Sequence, residues 1–350
     1  MCRPRQRPAG AISRSGRMHR VATRVKDPGL VVVTGAGGFV GRALVAHFKA
    51  AGRPCRAIVR QREGQATAAD PHVRAIDDLA TLAEADFDEI LAGATAVVHL
   101  AGRAHVLDET ARDPAAAYAS ANVTATARLA AAAVRAGVRR FVLASTVKVN
   151  GETSAASRPF RPGDPPAPRD DYAKSKLEAE QALAGICAGT SMAPIVLRLP
   201  LVYGPGVKGN FATLLDEVAR ERRLPLGAIR NRRSLLYVGN LVEAIDAALD
   251  AAAPPSGVHF VADAQSVSVP ELLRAVGAAL GTPVRMSPVP VRLLEFGGQV
   301  IGRRSQVDRL VRTLEVDTTS FAAATGWRAR HSLADGLAAT AAWWRMRHSI

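Results

Sequence analysis

The stretch VVVTGAGGFVGRALVAHF, residues 31–48, constrains this chain more than any other. A β-branched apolar run stops at Thr34, glycines follow at Gly35, Gly38 and Gly41, and a segment with helical spacing of apolar residues begins at once. Glycines there permit a tight turn, close approach of backbone to a pyrophosphate, and close packing of helix on strand, while the helix N-terminus favours an anion. The glycine spacing alone says little. A strand before it, a helix after it and another strand within about 30 residues give it weight. The competing reading is a glycine-rich turn that holds no ligand.

Apolar runs suited to buried strands recur at 30–35, 54–60, 72–76, 95–102, 140–146 and 193–200. Ala-rich helical stretches lie between them at 41–52, 81–93, 115–137 and 172–189. Fully apolar strands separated by helices predict an α/β fold, a doubly wound parallel sheet covered on both faces. After residue 200 the Pro/Gly punctuation shortens the segments, which predicts a second, smaller domain at the carboxyl end of the sheet. A chain of 350 residues is long enough for two unequal domains sharing a cleft.

Twenty-five residues beyond Gly35 stands Arg60, followed by Gln61 and Arg62. A protein that prefers NAD usually offers an acid at that place to the ribose hydroxyls. A guanidinium suits a 2′-phosphate instead, which favours NADP(H) over NAD; an exposed loop arginine is the other reading. Asp77 or Asp78, after the third strand, stands where an adenine amino group could be held, or is a solvated loop carboxylate.

The formal charge of +15 is unevenly placed. Residues 1–26 hold eight Arg or Lys and no acid. In composition that segment resembles an organelle transit peptide, but a basic tail, or a start at Met18, carries more weight. Specific nucleic-acid binding is not expected, because four Tyr and nine Phe in the whole chain leave few stacking platforms. The arginines at 220, 222, 223, 230 and 232 read as a solvated face or part of an anion pocket. Cys2, Cys55 and Cys187 have no ligand spacing, so neither a disulfide framework nor a metal site is expected. No long apolar run suggests a membrane span, and a cytoplasmic protein is the expectation. VRLLEFGGQVIGRR (291–304) is amphipathic; packing inside the smaller domain is expected, a face seated on a membrane being the other reading.

DDYAKSK, residues 170–176, places Tyr172 and Lys176 four apart on one helix face. A cation beside a phenol lowers its pKa from near 10, which makes Tyr172 a general acid/base near neutral pH. Thr146, at the end of the fifth strand, could hold the same substrate oxygen, since ligands of open α/β sheets bind beyond the carboxyl ends of the strands.

Taken in order, TGAGGFVG (34–41), HLAG (99–102), Asn122, LASTVKVNG (143–151), YAKSK (172–176), LRLPLVYGPG (197–206), RRSLLYVGNLVEAI (232–245) and TGWRARHSLADGLAATAAWW (325–344) resemble the extended short-chain dehydrogenase/reductases, in the NAD-dependent epimerase/dehydratase family. The resemblance runs from residue 29 to about 345. It implies a Rossmann domain of about seven strands at 28–200 plus about 234–263. A nucleotide-sugar domain would occupy 201–233 plus about 264–350, behind a basic extension at 1–27. It implies Tyr172 as acid/base, Lys176 as its electrostatic partner and Thr146 as hydroxyl partner of the substrate. Cofactor contacts are implied at Phe39, Val40, Leu100, Ala101, Gly102, Asn122 and Pro200, besides the glycines, Tyr172 and Lys176. Arg233 matches an arginine that pairs with a diphosphate, with Arg232 and Arg230 as competitors. Asn210 either reaches the nucleotide-sugar or caps the helix expected from Phe211.

The chain departs from the family pattern in several places. Dehydratases of the family carry an Asp-Glu pair where Val147-Lys148 stand, so 4,6-dehydration is not expected. Asn150 replaces the tyrosine of VYG, Leu201 stands where an asparagine precedes VYGP, and Val238-Gly239-Asn240 replace VDD. An arginine in register with Asp317 is missing, although Arg304 and Arg309 lie near. The expected activity is NAD(P)-dependent oxidoreduction at C4 of a nucleotide-diphospho-sugar, of UDP-hexose or UDP-N-acetylhexosamine type. It would run as a 4-epimerase or a 4-ketoreductase, in a setting such as cell-surface polysaccharide synthesis. A non-catalytic dinucleotide-binding regulator is the alternative, against which Thr146, Tyr172 and Lys176 are all present. Small residues on several faces of 115–137 and the helix after Tyr172 suggest a homodimer, as in similar proteins.

Overall fold

A computed structural model describes residues 29–61, 72–104, 111–155, 158–302 and 304–348. The basic extension at 1–27, Arg62 and Cys2 lie outside the described residues. Seven strands form one parallel sheet: β1 (Leu30–Thr34), β2 (Cys55–Arg60), β3 (Val73–Ile76), β4 (Ala94–His99), β5 (Arg140–Thr146), β6 (Ala193–Leu199) and, after a short separate pair β7 (Leu201–Tyr203) and β8 (Leu235–Tyr237), β9 (Gly257–Phe260). The order across the sheet is β3-β2-β1-β4-β5-β6-β9. The order in which successive strands are added reverses between β1 and β4, so the crevice for a ligand opens at their carboxyl ends. This is the doubly wound Rossmann architecture.

The sheet is buried on both sides because its central strands carry apolar residues on both faces. On one face Val31 and Val33 pack with Leu44 and Phe48 of helix Phe39–Ala50 and with Leu241 and Ile245 of helix Val238–Asp250. On the other, Val32 and Ile58 meet Phe87, Leu129 of helix Ala125–Arg135 and Leu183 of helix Asp171–Cys187. Each fully buried valine of β1 contributes about 2 kcal/mol of transfer free energy. A third core joins Tyr203, Phe211, Leu273, Val276, Leu337 and Trp344, built almost wholly from the chain after residue 200.

Asn240 takes the place expected of an acid and is fully buried. Its amide donates to Asp263 Oδ1 at 2.8 Å and to the His331 carbonyl at 2.9 Å, and its carbonyl accepts from Arg330 and His331 N–H. It thereby knots the start of helix Val238–Asp250 to the segment leading into the last helix, Leu333–His348.

Three expectations need correcting. The stretch at 115–137 is not one helix: Pro114–Tyr118, a π-helical turn Ala119–Thr124 and Ala125–Arg135 follow one another, and Asn122 sits in the π turn. Asn210 does not cap a helix starting at Phe211; the helix is Asn210–Ala219, its cap Gly209. Residues 291–304 do not bury their apolar side within the smaller core. Leu294 packs there, whereas Leu293, Phe296, Val300 and Ile301 are exposed.

Candidate active site

Beyond the carboxyl ends of β1, β2 and β4 lies a cleft of about 580 Å³, the size range of small-molecule sites. Gly35, Gly38, Arg60, Asp77, Asp78, Leu100, Ala101 and Gly102 line it. Gly35 has φ +68°, and a Cβ there would stand 2.6 Å from the Ala101 nitrogen, so this turn needs glycine on both counts. Gly41 is needed for a different reason. A Cβ on it would meet the Gly35 carbonyl oxygen at 2.2 Å and Ala36 Cα at 2.7 Å, pushing the helix off the strand end. Gly41→Ala is expected to cost about 3 kcal/mol, seen as a lowered Tm, through overpacking. An unchanged melting curve would show that the contact relaxes freely.

The helix that starts at Phe39 has no side-chain cap and no acid in its first turn. Its uncapped N–H groups and positive dipole end suit a pyrophosphate, so the loop fits a dinucleotide. Two cations in the cleft were missed from sequence, Arg42 and Lys208. Arg42 donates to the Gly37 carbonyl at 2.5 Å, across the loop it follows. Its signal was a basic residue one position past the last glycine. Phe39 and Val40 at the start of the helix are half-buried, their side chains packed against two different cores, and Pro200 is buried between β6 and β7. Asp78 is engaged in its own turn, accepting from Ala80 N–H at 2.8 Å, while Asp77 is exposed.

Asn122 is buried, and its amide clamps two segments. Its oxygen accepts from Arg103 N–H at 2.8 Å, and its nitrogen donates to the Arg103 carbonyl at 3.1 Å and to Ser175 Oγ at 2.9 Å. Below it, Thr126 Oγ1 donates to the Asn122 carbonyl at 2.5 Å and so accepts from His99 Nε2–H at 3.1 Å. That leaves His99 Nδ1 to accept from Thr34 Oγ1 at 2.6 Å. Burial pushes the imidazole down to about 3, with the Lys176 charge adding to it, so it stays neutral and fixes this chain of bonds from the glycine turn to the π turn. A π turn of this kind, inserted where a helix must place one side chain, is frequent at functional sites.

Thr146, Tyr172 and Lys176 come together where β5 ends. Thr146 caps a short 3-10 turn, Val147–Val149, and its hydroxyl lies near enough to the Tyr172 phenol to favour the phenolate. Asp170 caps the Tyr172 helix, accepting from Ala173 N–H at 2.8 Å, and its other oxygen meets Lys148 Nζ at 2.5 Å. Lys148, at a place where a carboxylate was looked for, instead ties the turn after Thr146 to the cap before Tyr172. Val147 beside it is buried with Phe260 and Leu314. Lys176 is 6% exposed, and its Nζ lies 4.0 Å from where a Cβ on Gly102 would stand, which sets it against the cleft.

The expected lowering of the phenol is not what the folded chain produces. Burial pushes Tyr172 up to about 12; the neighbouring Thr146 hydroxyl pulls the other way, and Asp170 and Tyr118 push it further up. The same burial brings Lys176 down to about 8, against the pull of Glu180. In the chain by itself desolvation is the largest influence on both groups.

Arg233 is partly buried, its Nη1 donating to the Arg309 carbonyl at 2.7 Å and the Arg312 carbonyl at 3.2 Å. Arg232 is exposed and bonded to Ser266 Oγ at 3.0 Å. Asn210 is exposed on the first turn of its helix. Asp317 pairs with Arg161 at 3.6 Å.

Residues 31–262 match the model of the NAD dependent epimerase/dehydratase family. The chain belongs to that family. It is 37% identical over 318 residues to a UDP-glucose 4-epimerase of Vibrio cholerae, covering 90% of this chain and 95% of that one. It is 28% identical over 324 residues to the N-acetyl-alpha-D-glucosaminyl-diphospho-ditrans,octacis-undecaprenol 4-epimerase of Escherichia coli O157:H7, with 88% and 92% covered. Among solved structures, MoeE5 in complex with UDP-glucuronic acid and NAD superposes with a TM-score of 0.70 at 27% identity, over 92% of this chain and all of that one. The family is described as NAD-dependent, and MoeE5 holds NAD together with UDP-glucuronic acid in one structure and UDP-glucose in another.

Proposed function

We propose that this chain catalyses NAD(P)-dependent oxidoreduction at C4 of a nucleotide-diphospho-sugar, with Tyr172, Lys176 and Thr146 as its catalytic residues. The observation that carries the reading is the juxtaposition of Thr146 and Tyr172 at the end of β5, with Lys176 buried one turn along and set against the cleft. The dinucleotide would lie along Gly35, Gly38 and the start of the helix at Phe39, reach Arg60 and Asp77 or Asp78 at one end, and Leu100, Ala101 and Gly102 at the other. Bound, its nicotinamide supplies or takes the hydride at sugar C4. Tyr172 gives or takes the proton of the C4 oxygen, Thr146 orients that oxygen, and the Lys176 charge favours the phenolate form. Arg233 would meet the diphosphate and Asn210 the nucleotide-sugar. The division expected from sequence, 28–200 plus about 234–263 against 201–233 plus about 264–350, would put the sugar between the two lobes. A homodimer through the helices at 125–135 and 171–187 belongs to the same proposal.

Dehydration is not part of it. Val147 is packed in an apolar cluster and Lys148 is held by Asp170, so no carboxylate faces the sugar from those positions. The Escherichia coli relative's substrate shares a hexosamine diphosphate with UDP-N-acetylhexosamine, and that shared portion is what Arg233 would read.

Epimerase and 4-ketoreductase are separated by the dinucleotide the protein keeps. The cleft cations Arg42, Arg60 and Lys208 support an exchangeable NADPH. Freshly purified protein, denatured and examined by mass, is expected to release little NAD⁺. Arg60→Ala is then expected to weaken NADPH about tenfold and leave NADH unchanged, by loss of one charge-assisted contact. Retained NAD⁺ near one per chain would reject the ketoreductase and support the epimerase.

A further inference from the structure

Helix Val291–Val300 turns its apolar side to solvent. Leu293, Phe296 and Val300 share one face and are 60%, 68% and 68% exposed, with Ile301 beside them at 66%. Val291 and Leu294 anchor the other side of the helix in the C-terminal core. Leu310 of the next helix, Arg304–Val311, extends the surface. Seven large hydrophobic side chains are exposed among the described residues, and five of them fall between 293 and 310, so the exposure is one patch rather than scatter.

The surround is cationic. Residues 291–312 contain five arginines and two acids. Both acids are already paired: Arg312 lies 2.9 Å from Glu295 and 3.5 Å from Asp308, and Arg304 3.9 Å from Asp308. Arg292, on the exposed flank, forms no ion pair among the described residues.

We propose that this helix pair docks the protein on the surface of an anionic lipid bilayer. Leu293, Phe296, Val300 and Ile301 seat at the boundary between headgroups and acyl chains, and the arginines meet headgroup phosphates. An in-plane amphipathic helix with cationic flanks is what that boundary binds. No helix among the described residues is long and apolar enough to cross a membrane, so the attachment is peripheral. A second copy fits the patch less well, because a two-fold contact would set one arginine rim against the other. The Arg233 bond to the Arg309 carbonyl ties the docking helices to the side of the molecule where the sugar diphosphate is proposed to bind. The docking itself does not depend on which reaction the site performs.

The test is flotation of the full chain with vesicles of equal phosphatidylglycerol and phosphatidylcholine, and with phosphatidylcholine alone. The protein is expected to partition at least about tenfold better onto the anionic vesicles, less so in high salt. The triple variant Leu293→Ser, Phe296→Ser, Val300→Ser is expected to lose at least about tenfold of that binding, with its melting temperature and dinucleotide binding kept. Arg292→Glu with Arg304→Glu is expected to remove the preference for anionic lipid. Failure of the unaltered protein to float, or equal flotation of the triple variant, would overturn the proposal. So would a drop in solution mass of the triple variant by light scattering without vesicle binding by the parent, which would assign the patch to a second copy. Because the readout is lipid partition, its failure leaves the reading of the active site standing, and loss of turnover does not touch it.

Discussion

Tyr172→Phe is expected to lower turnover by about 10³-fold while dinucleotide affinity stays within about twofold. The change removes one oxygen from a partly buried ring and leaves the ring contact with Tyr118 at 6.0 Å in place. It also leaves Thr146 with its bond to Lys148 N–H at 3.3 Å, so the strand end keeps its shape. What is lost is the group proposed to exchange a proton with the substrate oxygen. With the phenol pushed up to about 12, the protonated form stands ready at neutral pH, which suits delivery of a proton to the oxygen of a ketone as hydride adds to its carbon. Turnover retained above about a tenth of the parent value would remove Tyr172 from the role, because a general acid/base contributes at least about 10². Steady-state rates on a UDP-4-keto-sugar and on UDP-glucose, beside titration with NADH and NADPH, supply both readouts.

The sheet was legible because its strands are short runs of Val, Ile and Leu whose period is that of a strand buried on both faces. β1 to β6 therefore fall within a residue of the apolar runs, except that β4 ends at His99, three residues before the end of its run. β9 was harder. Gly257–Phe260 is four residues long, opens on glycine and carries His259, whose place in the core depends on a bond to the Pro255 carbonyl. Nothing local in ASANVT marks a π turn. The extra residue in that turn is held by tertiary bonds, from Asn122 to Arg103 and Ser175 and from Thr126 to His99. The residue types of the candidate site were visible at fixed spacings. Its electrostatics were not, since a spacing of four shows that a cation can reach a phenol and says nothing of how much water both have lost. Arg42 and Lys208 illustrate the same limit: 166 positions separate them, and the fold alone puts both on one cleft.

The largest stability effect is expected at Glu180, a residue with no motif of its own. It lies one turn beyond Lys176 in the same helix, 4% exposed, and Arg198 of β6, also 4% exposed, meets it with three hydrogen bonds of 2.6 to 3.2 Å. Ser145 Oγ donates to the same carboxylate, and the remaining Arg198 nitrogen donates to Asn150 Oδ1 at 2.9 Å. Asn150 is thus explained where a tyrosine was expected: it completes the shell of a buried guanidinium and passes the chain on to the Asp164 carbonyl at 3.3 Å. Glu180→Ala leaves that guanidinium in the core with one neutral partner, and is expected to cost about 3–5 kcal/mol in denaturant unfolding. Replacing both charges, Glu180→Met with Arg198→Met, removes the stranded cation and is expected to cost markedly less, since well-packed apolar residues often substitute for a buried pair at little loss. That comparison separates the pair's net contribution from the penalty of breaking it. A single-variant loss under about 1 kcal/mol would mean that water reaches Arg198 and that the pair is not buried in solution. The activity consequence follows the same geometry. The carboxylate braces Ser145, next to Thr146, and favours the charged form of Lys176, so the double variant is expected to fold yet turn over more slowly, with Lys176 titrating lower than in the parent.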